Sequence, residues 1–506
     1  MRFINPKIIG ILALLVVLWI VLIVAVPETF LKGGNLEKLM RRTALYGVLG
    51  IGVAFVIITA GIDLSIGSIV CLSASVLAIF LHVDYQPFDV RKVLAVQAKE
   101  QTIVVPGKVD AFAVDDVIRY EGGRRARKAV LTVTGVESIQ FTTDDGEEVS
   151  ATAIRVDKPL SRDDTMGYVA KVNNVMAFDV GDRGAGIPST VTIAGDHTHI
   201  EARDWLRLIH PTSGQQDLVI DSASVADGQT KIIMRTELGS NVTAEWLSIP
   251  FERHQRMSVF TAIVLVLVIG LALGVIHGLL ITKVELQPFV VTLCGLLIYR
   301  GVARYLADDQ VQGFGTEYTN SVQGLVALGK WDLGFSSYGE PMAIPFPFFI
   351  LIVTAIIASV FLNKTIWGRY MQALGHNEPA ARYSGINTHA ITILAYIICA
   401  VLASVGGMLF AMDSNSVSPS AFGNFFELYA IAAAVLGGCS LRGGEGGILG
   451  VVIGTAVMQT LKNSIQLLGI SDKLEYVIVG GVLLAGVIAD QYIKRAVDRR
   501  RAATNK

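Results

Sequence analysis

Residues 8–26 read IIGILALLVVLWIVLIVAV and contain no charged side chain. This run approaches the length of about 20 residues that a helix needs to span a bilayer. A cleaved signal peptide is the alternative, but the apolar core is long and no A-x-A site follows before Pro27, so we expect a retained membrane anchor. Two more apolar runs, at about 43–60 and 66–81, predict two further membrane helices.

The composition extends this prediction to most of the chain. Of its 506 residues, 52% are apolar and 17% are charged, whereas a typical soluble protein carries about 25% charged residues. The 50 glycines also fit, because glycine is commoner in membrane helices than in soluble ones. A net charge of −1 excludes a nucleic-acid binder that relies on bulk electrostatics. We therefore expect an α-helical polytopic membrane protein.

The segment 84–255 has a different texture and contains no apolar run of spanning length. Polar and β-branched residues alternate there, punctuated by Gly, Asp and Pro, which is typical of strands and turns. We expect an inserted soluble β-rich domain, with an OB-like or other small barrel as its fold. It would separate a first membrane block, 1–83, from a second one, 256–506.

Short patterns within this segment predict individual strands. Residues 139–143 (IQFTT) and 147–156 (EEVSATAIRV) flank Asp-Asp-Gly at 144–146 and predict a β-hairpin with its turn. Residues 217–220 and 231–236 are further strand candidates.

Seven apolar runs in the second membrane block bring the prediction to about ten membrane helices; they lie at 257–280, 288–303, 345–363, 389–411, 426–438, 447–468 and 475–490. An even number places both termini on one side, and the basic tail after Tyr492 places that side in the cytoplasm. The loop 364–388 is then cytoplasmic and 84–255 extracytoplasmic. Four basic residues count against this topology because it places them outside: Lys32, Lys38, Arg41 and Arg42.

The sequence lacks the motifs of an enzyme. The Gly-Lys pairs at 107–108 and 329–330 lack the rest of a phosphate loop, so we expect no ATP hydrolysis by this chain itself. No H-E-x-x-H or paired-cysteine metal motif occurs, and Asp196, His197 and His199 are only a weak alternative as metal ligands. We expect no catalytic residues, no cofactor and no metal.

The motif GIDLSIGS, 61–68, lies between the second and third predicted spans. Gly61 can end one helix, and Asp63 or Ser65 can accept the N–H groups that open the next. Such a break is tolerated at membrane depth only where it is buried in protein or lines a water-filled cavity. A plain capped turn is the alternative. The candidates for lining a substrate path are Asp63, Ser65, Ser68, Ser73 and, in a later span, Glu427.

The loop 368–388 predicts a short capped helix. Asn377 can cap it, Pro379 suits its first turn and Gly385 suits its end. Small residues and a few charges on such a helix favour docking into another protein, and a solvated connector is the alternative. The residues that would take part are Arg369, Asn377, Glu378, Ala381, Arg382 and Gly385.

The segment 437–447 contains six glycines in GGCSLRGGEGG and is followed by Gly450 and Gly454. It joins two apolar helices, with no strand before it and no Lys-Ser/Thr after it, so a phosphate cradle is disfavoured. The small-xxx-small spacing of Gly450 and Gly454 predicts close helix packing instead.

Taken together, these motifs resemble the permease subunits of bacterial ABC importers for monosaccharides, the ribose/xylose/galactoside group, which is related to the branched-chain amino-acid permeases. The resemblance is carried by VIITAGIDLSIGSIVCLSAS and by three later stretches; the four lie at 56–75, 278–303, 368–396 and 427–470. The sequence departs from the family's pattern at His277, Tyr429 and Glu445, and in the whole insert.

The resemblance implies a type II-like importer fold, two permease copies, two ATPase subunits and a solute-binding protein outside the membrane. It also implies that 368–388 is the coupling helix, because Glu378, Ala381 and Gly385 match the family's E-x-x-A…G pattern. A receptor with an outer ligand-binding domain is an alternative, although the tail after Tyr492 is short for a signalling domain. An ion-coupled carrier is a second alternative, disfavoured by the scarcity of carboxylates in the predicted spans.

Overall fold

The computed structural model describes residues 6–87, 91–97, 100–107, 112–122, 127–142, 148–159, 167–181, 188–210, 214–235, 247–314, 330–481, 484 and 488. The chain divides into two compact units. The first, the helical unit, comprises Met1–His82 and Arg256–Lys506, and the second, the β unit, comprises Val83–Gln255.

The helical unit contains the helices α1 (Pro6–Ala25), α2 (Pro27–Phe30), α3 (Gly33–Ile58), α4 (Ile66–Leu81), α5 (Val259–Thr282), α6 (Pro288–Leu306), α7 (Phe346–Lys364), α8 (Ile366–His376), α9 (Glu378–Tyr383), α10 (Thr388–Ser414), α11 (Phe426–Leu436) and α12 (Ile448–Leu467). Seven of them are long and apolar enough to cross a membrane: α1, α3, α5, α6, α7, α10 and α12.

Nine of the ten predicted spans fall on helices, but α4 and α11 have only 16 and 11 residues. The tenth, 475–490, is helical over 475–481, and most of its remainder lies outside the described residues. The ten-span topology therefore stays a prediction. Helix α3 also begins ten residues before the predicted apolar run, because charged residues in its N-terminal half have partners. A guanidinium nitrogen of Arg41 lies 3.0 Å from a carboxylate oxygen of Asp413.

Helices α3, α10 and α12 are the most buried of the seven long helices. Of their apolar stretches, 89%, 61% and 67% of the residues are buried, against 6% in α1 and 17% in α7. The outer helices expose large aliphatic side chains, such as Val24 on α1 and Ile357 on α7. In a membrane protein such side chains face the hydrocarbon of the lipid bilayer.

Glycines allow the central helices to approach closely. On α5, Gly270, Gly274 and Gly278 repeat every four residues along the face that packs on α10, and a Cβ on Gly274 would lie 2.6 Å from Ile397 Cα. The predicted role of Gly454 is confirmed, since a Cβ there would lie 2.7 Å from Gly437 N at the end of α11. Such small-residue contacts are a principal means of helix association in lipid.

A hairpin that the sequence patterns did not predict precedes α7. Strands β14 (Lys330–Ser337) and β15 (Glu340–Pro345) pair antiparallel through a tight turn at Tyr338–Gly339, where both φ angles are positive. Two positive φ angles are the signature of the type I′ turn that suits the twist of paired strands.

The β unit contains thirteen strands in its described part: β1 (Val83–Pro87), β2 (Arg91–Lys92), β3 (Ala95–Gln97), β4 (Thr102–Pro106), β5 (Val117–Gly122), β6 (Arg127–Thr142), β7 (Glu148–Val156), β8 (Gly167–Asp179), β9 (Thr190–Ala194), β10 (Trp205–His210), β11 (Gly214–Ala226), β12 (Gln229–Met234) and β13 (Leu247–Gln255). They pair in the order β1-β13-β10-β11-β12-β9-β8-β5-β6-β7-β4-β3, and β2 pairs with β8.

A further pairing of β13 with β8 closes β8, β9, β12, β11, β10 and β13 into a six-stranded antiparallel ring. Its apolar side chains form one core cluster that includes Ile193, Leu206 and Ile232. This ring fits the expectation of a small barrel, whereas the OB-like alternative has five strands. A second core cluster, which includes Ile118 and Ile154, lies among β4 to β8.

The predicted hairpin is confirmed, because β6 and β7 pair antiparallel with Thr142 opposite Glu148. Its turn, 144–146, lies outside the described residues. The predicted strand 217–220 lies within β11, and 231–236 corresponds to β12, which ends at Met234.

We predict that Ile154→Ala lowers the free energy of unfolding of the β unit by about 2–5 kcal/mol, because it removes a fully buried side chain from a packed core. Urea denaturation of the excised segment 83–255 measures this. Val114→Ala is the control, since Val114 is 57% exposed and its replacement should cost little. Equal stability of the two variants would contradict the described core.

Candidate functional site

The GIDLSIGS motif forms a break between α3 and α4. The chain turns at Ala60, which has a φ of +63°, and Gly61 N donates to Val56 O at 2.9 Å. The residue in the left-handed conformation after α3 is thus Ala60, and Gly61 follows it. Gly61 is needed for space, because a Cβ there would lie 2.8 Å from the Tyr396 hydroxyl.

Asp63 stabilises the turn that leads into α4. Its Oδ1 accepts hydrogen bonds from Ser65 N at 2.8 Å and from Ser65 Oγ at 2.6 Å. Ser65 is the N-cap residue of α4, but its side chain makes no capping bond to the helix. Of the two predicted acceptors, only Asp63 therefore accepts a backbone N–H at this turn.

The candidates for a substrate path cluster around α4 and are buried. The exposed fraction is 0–1% for Asp63, Ser65, Ser68 and Ser73 and 8% for Glu427. Ser68 Oγ donates to Leu296 O of α6 at 2.7 Å, and Ser73 Oγ donates to Ser404 Oγ of α10 at 3.0 Å. The Glu427 carboxylate, on α11, packs so closely against Gly67 that a Cβ on Gly67 would collide with it. In this conformation the five side chains are enclosed by protein.

Three aromatic residues that were not among the candidates surround the break. The Tyr396 hydroxyl donates to Ile62 O at 3.2 Å, and the Tyr299 hydroxyl lies 2.8 Å from Nε2 of His277. The His277 ring packs edge-on against Tyr396. Among the described residues, Asp63 Oδ2 and His277 Nδ1 are buried polar atoms without a hydrogen-bond partner. The sequence did offer one signal, because His277 is an ionisable residue within an apolar run. Ionisable residues in membrane spans usually belong to a functional site.

The segment 365–387, which we call the coupling segment after its expected role, is capped at Thr365 and at Asn377, and of these the cap at Asn377 was predicted. Thr365 Oγ1 accepts from Gly368 N at 3.2 Å at the start of α8, and Asn377 Oδ1 accepts from Ala380 N at 3.0 Å at the start of α9. Helix α9 spans Glu378–Tyr383, and Gly385 then takes a φ of +82°. The predicted short helix is therefore confirmed as α9, and α8, which precedes it, was not predicted.

The outward face of α9 is polar and aromatic. Arg369 on α8 and Glu378 and Arg382 on α9 are exposed, and Tyr383 is 93% exposed. Ala381, in contrast, is buried within the chain at 5% exposure, so it supports the helix from inside and does not contribute to a small outer face.

The glycine loop 437–447 lies between α8 and the end of α3. Gly444 N donates to Ile58 O at 2.9 Å, and a Cβ on Gly443 would lie 2.7 Å from Gly375 O. Within the loop, Ser440 N donates to Glu445 O at 2.9 Å. Backbone atoms of the loop therefore contact the coupling segment at Gly375 and the end of α3 at Ile58.

Comparisons with known proteins identify the family of the chain. The family described as "Branched-chain amino acid transport system / permease component" matches residues 233–487. The Ribose import permease protein RbsC of Escherichia coli K12 is 35% identical over 235 residues, which cover 46% of this chain and 70% of that protein.

Two further relatives match over similar spans. The Bacillus subtilis ribose import permease protein RbsC is 37% identical over 218 residues, or 42% of this chain and 63% of that protein. The L-arabinose transport system permease protein AraH of Escherichia coli K12 is 33% identical over 222 residues, or 44% and 63%. No solved structure matches the chain. The chain belongs to the branched-chain amino acid transport permease family, among the sugar import permeases of ABC transporters.

Proposed function

We propose that this inner-membrane permease moves a monosaccharide or a similar small polar solute into the cell. It would act as one of two permease copies in a type II-like importer, driven by separate ATPase subunits and supplied by an extracytoplasmic solute-binding protein. The observation that carries the proposal is the capped, exposed coupling segment in a chain whose sequence has no phosphate loop.

Docking of the ATPase on α9 is supported by the shape and charge of that helix. Asn377 accepts from Ala380 N at its start and Ser384 N donates to Ala380 O at its end, so backbone groups at both ends of this six-residue helix have partners within the chain. Glu378, Arg382 and Tyr383 project from that face, and aromatic and Arg side chains are enriched where protein interfaces hold most strongly.

The break and α4 are the proposed substrate path. A sugar needs hydroxyl and carboxylate partners, and Asp63, Ser65, Ser68, Ser73 and Glu427 supply them along one helix and its neighbour. Because they are enclosed here, solute would reach them only after α4 separates from α6 and α10. An ion-coupled carrier is the second candidate, favoured by the fully buried carboxylate of Asp63.

The β unit is proposed to lie outside the membrane, with both termini in the cytoplasm, and to contact the solute-binding protein or the cell envelope. A passenger insertion without a role in transport is the alternative. Val83 and Gln255 pair as neighbours on β1 and β13, so the two ends of the insert lie together. Insertions are tolerated at such positions.

We predict that Glu378→Lys abolishes association with the ATPase and solute uptake but not membrane insertion, because Glu378 is exposed on α9. Co-purification with the ATPase and uptake into vesicles are the measurements. Asp308→Lys, the same charge change at an exposed residue after α6, should keep the ATPase. Uptake that persists without bound ATPase would reject the importer and favour the ion-coupled carrier.

We predict that cysteines placed at Ser65 and Ser68 react with a water-soluble thiol reagent only while the assembled importer turns over, because both positions are buried here. The four native cysteines are first replaced by serine. Val48→Cys, equally buried on α3, should stay unlabelled in both states. An absence of labelling at 65 and 68 in every state would exclude a path at this break.

We predict that replacing 83–255 by a short Gly/Ser linker lowers the apparent affinity for the solute-binding protein while the helices still insert. Titration of ATPase stimulation with binding protein measures this. Unchanged affinity for the binding protein and unchanged solute uptake would show that the insert has no role in transport. Protease added to intact spheroplasts checks the location, and protection of the insert would place it in the cytoplasm.

A further inference from the structure

From the backbone contacts at Ile58, Gly375 and Gly444 we infer that this junction is a rigid link that carries movement of the coupling segment to the helix break at 59–65. The inference rests on the proposed function, in which an ATPase moves α8 and α9. It assigns a positioning role to glycines that touch neither solute nor ATP.

The contact at Gly375 leaves no room for a side chain. A Cβ there would collide with Ile58 O and with Gly444 N, the same two atoms that form a hydrogen bond of 2.9 Å. The α carbon of Gly375 therefore sits directly against a backbone hydrogen bond between the glycine loop and the last residue of α3.

The glycine loop fits the same junction from the other side. Gly443 and Gly444 have φ angles of +85° and +75°, in the region that favours glycine. A Cβ on Gly443 would lie 2.7 Å from both Ala60 Cβ and Gly375 O, and one on Gly444 would collide with the His376 ring. The junction therefore has backbone atoms of three segments in direct contact.

Backbone contacts of this kind transmit displacement well. A side chain yields by changing rotamer, but a packed backbone moves only with its whole segment, and close-packed interiors transmit strain. A shift of α8 would thus be passed to Ile58 and Ala60. On the far side of the break, Ile62 O accepts hydrogen bonds from Tyr396 of α10 and Thr292 of α6. The break is held between the coupling segment and the helices that enclose the proposed path.

Gly447, in the glycine loop, serves as a control for Gly375 on α8. A Cβ on Gly447 would have no other atom within 4 Å and its φ is not left-handed, whereas Gly375 is enclosed by backbone. We expect Gly375→Ala to bind the ATPase normally and to lower solute uptake per ATP hydrolysed by about tenfold, within the range that coupling residues produce. Gly447→Ala should match the unaltered chain. Normal coupling in Gly375→Ala would overturn the inference.

Hydrogen exchange of the unaltered, assembled importer tests rigidity directly and decides the matter if Gly375→Ala does not accumulate in the membrane. The Gly444 amide donates to Ile58 O across the junction, so a rigid link predicts that this amide stays protected both at rest and during ATP turnover. Loss of its protection during turnover would show that the junction opens and would overturn the inference. Failure of the unaltered chain to bind the ATPase would instead reject the proposed function.

Discussion

Contact between backbones, permitted by glycine, is the constraint on which the helical unit depends. Lipid chains are as apolar as leucine, so helices in a membrane gain little by burying large side chains and associate through close packing and hydrogen bonds. The contacts of Gly274 with Ile397, of Gly454 with Gly437 and of Gly375 with Ile58 are all of this kind. They bring together helices, the glycine loop and the coupling segment with no intervening side chain.

The helix break shows how polar groups are accommodated in such an interior. Backbone groups are costly to leave open at membrane depth, and three at this break have partners: Ser65 N is bonded by Asp63, Ile62 O by Tyr396 and Gly61 N by Val56 O of α3. The Asp63 and His277 side chains are themselves buried there, with exposed fractions of 0% and 1%. Ionisable side chains at membrane depth are costly, and they mark functional sites for that reason.

Much of this architecture could be predicted because it follows local rules. Apolar run length located the long helices, Asn377 and Gly385 framed α9, and alternation located β6 and β7. The predictions that failed concern features that depend on residues distant in sequence. Whether Ala381 faces inward, or where α3 begins, depends on packing partners that no local pattern contains. The closure of the β ring through β13 and β8 depends on a pairing across some seventy positions, and no local pattern reveals it.

The two ends of the insert lie side by side, as an insertion between neighbouring helices requires. Strand β1 pairs with β13, so the chain leaves the β unit beside the point where it enters. Helices α4 and α5, which the insert separates in sequence, pack together within the helical unit. A loop between neighbouring helices can therefore be replaced by a folded unit at little entropic cost, because loop closure depends only weakly on loop length. The break, the glycine loop and the coupling segment all belong to the helical unit, although the insert separates the break from the other two in sequence.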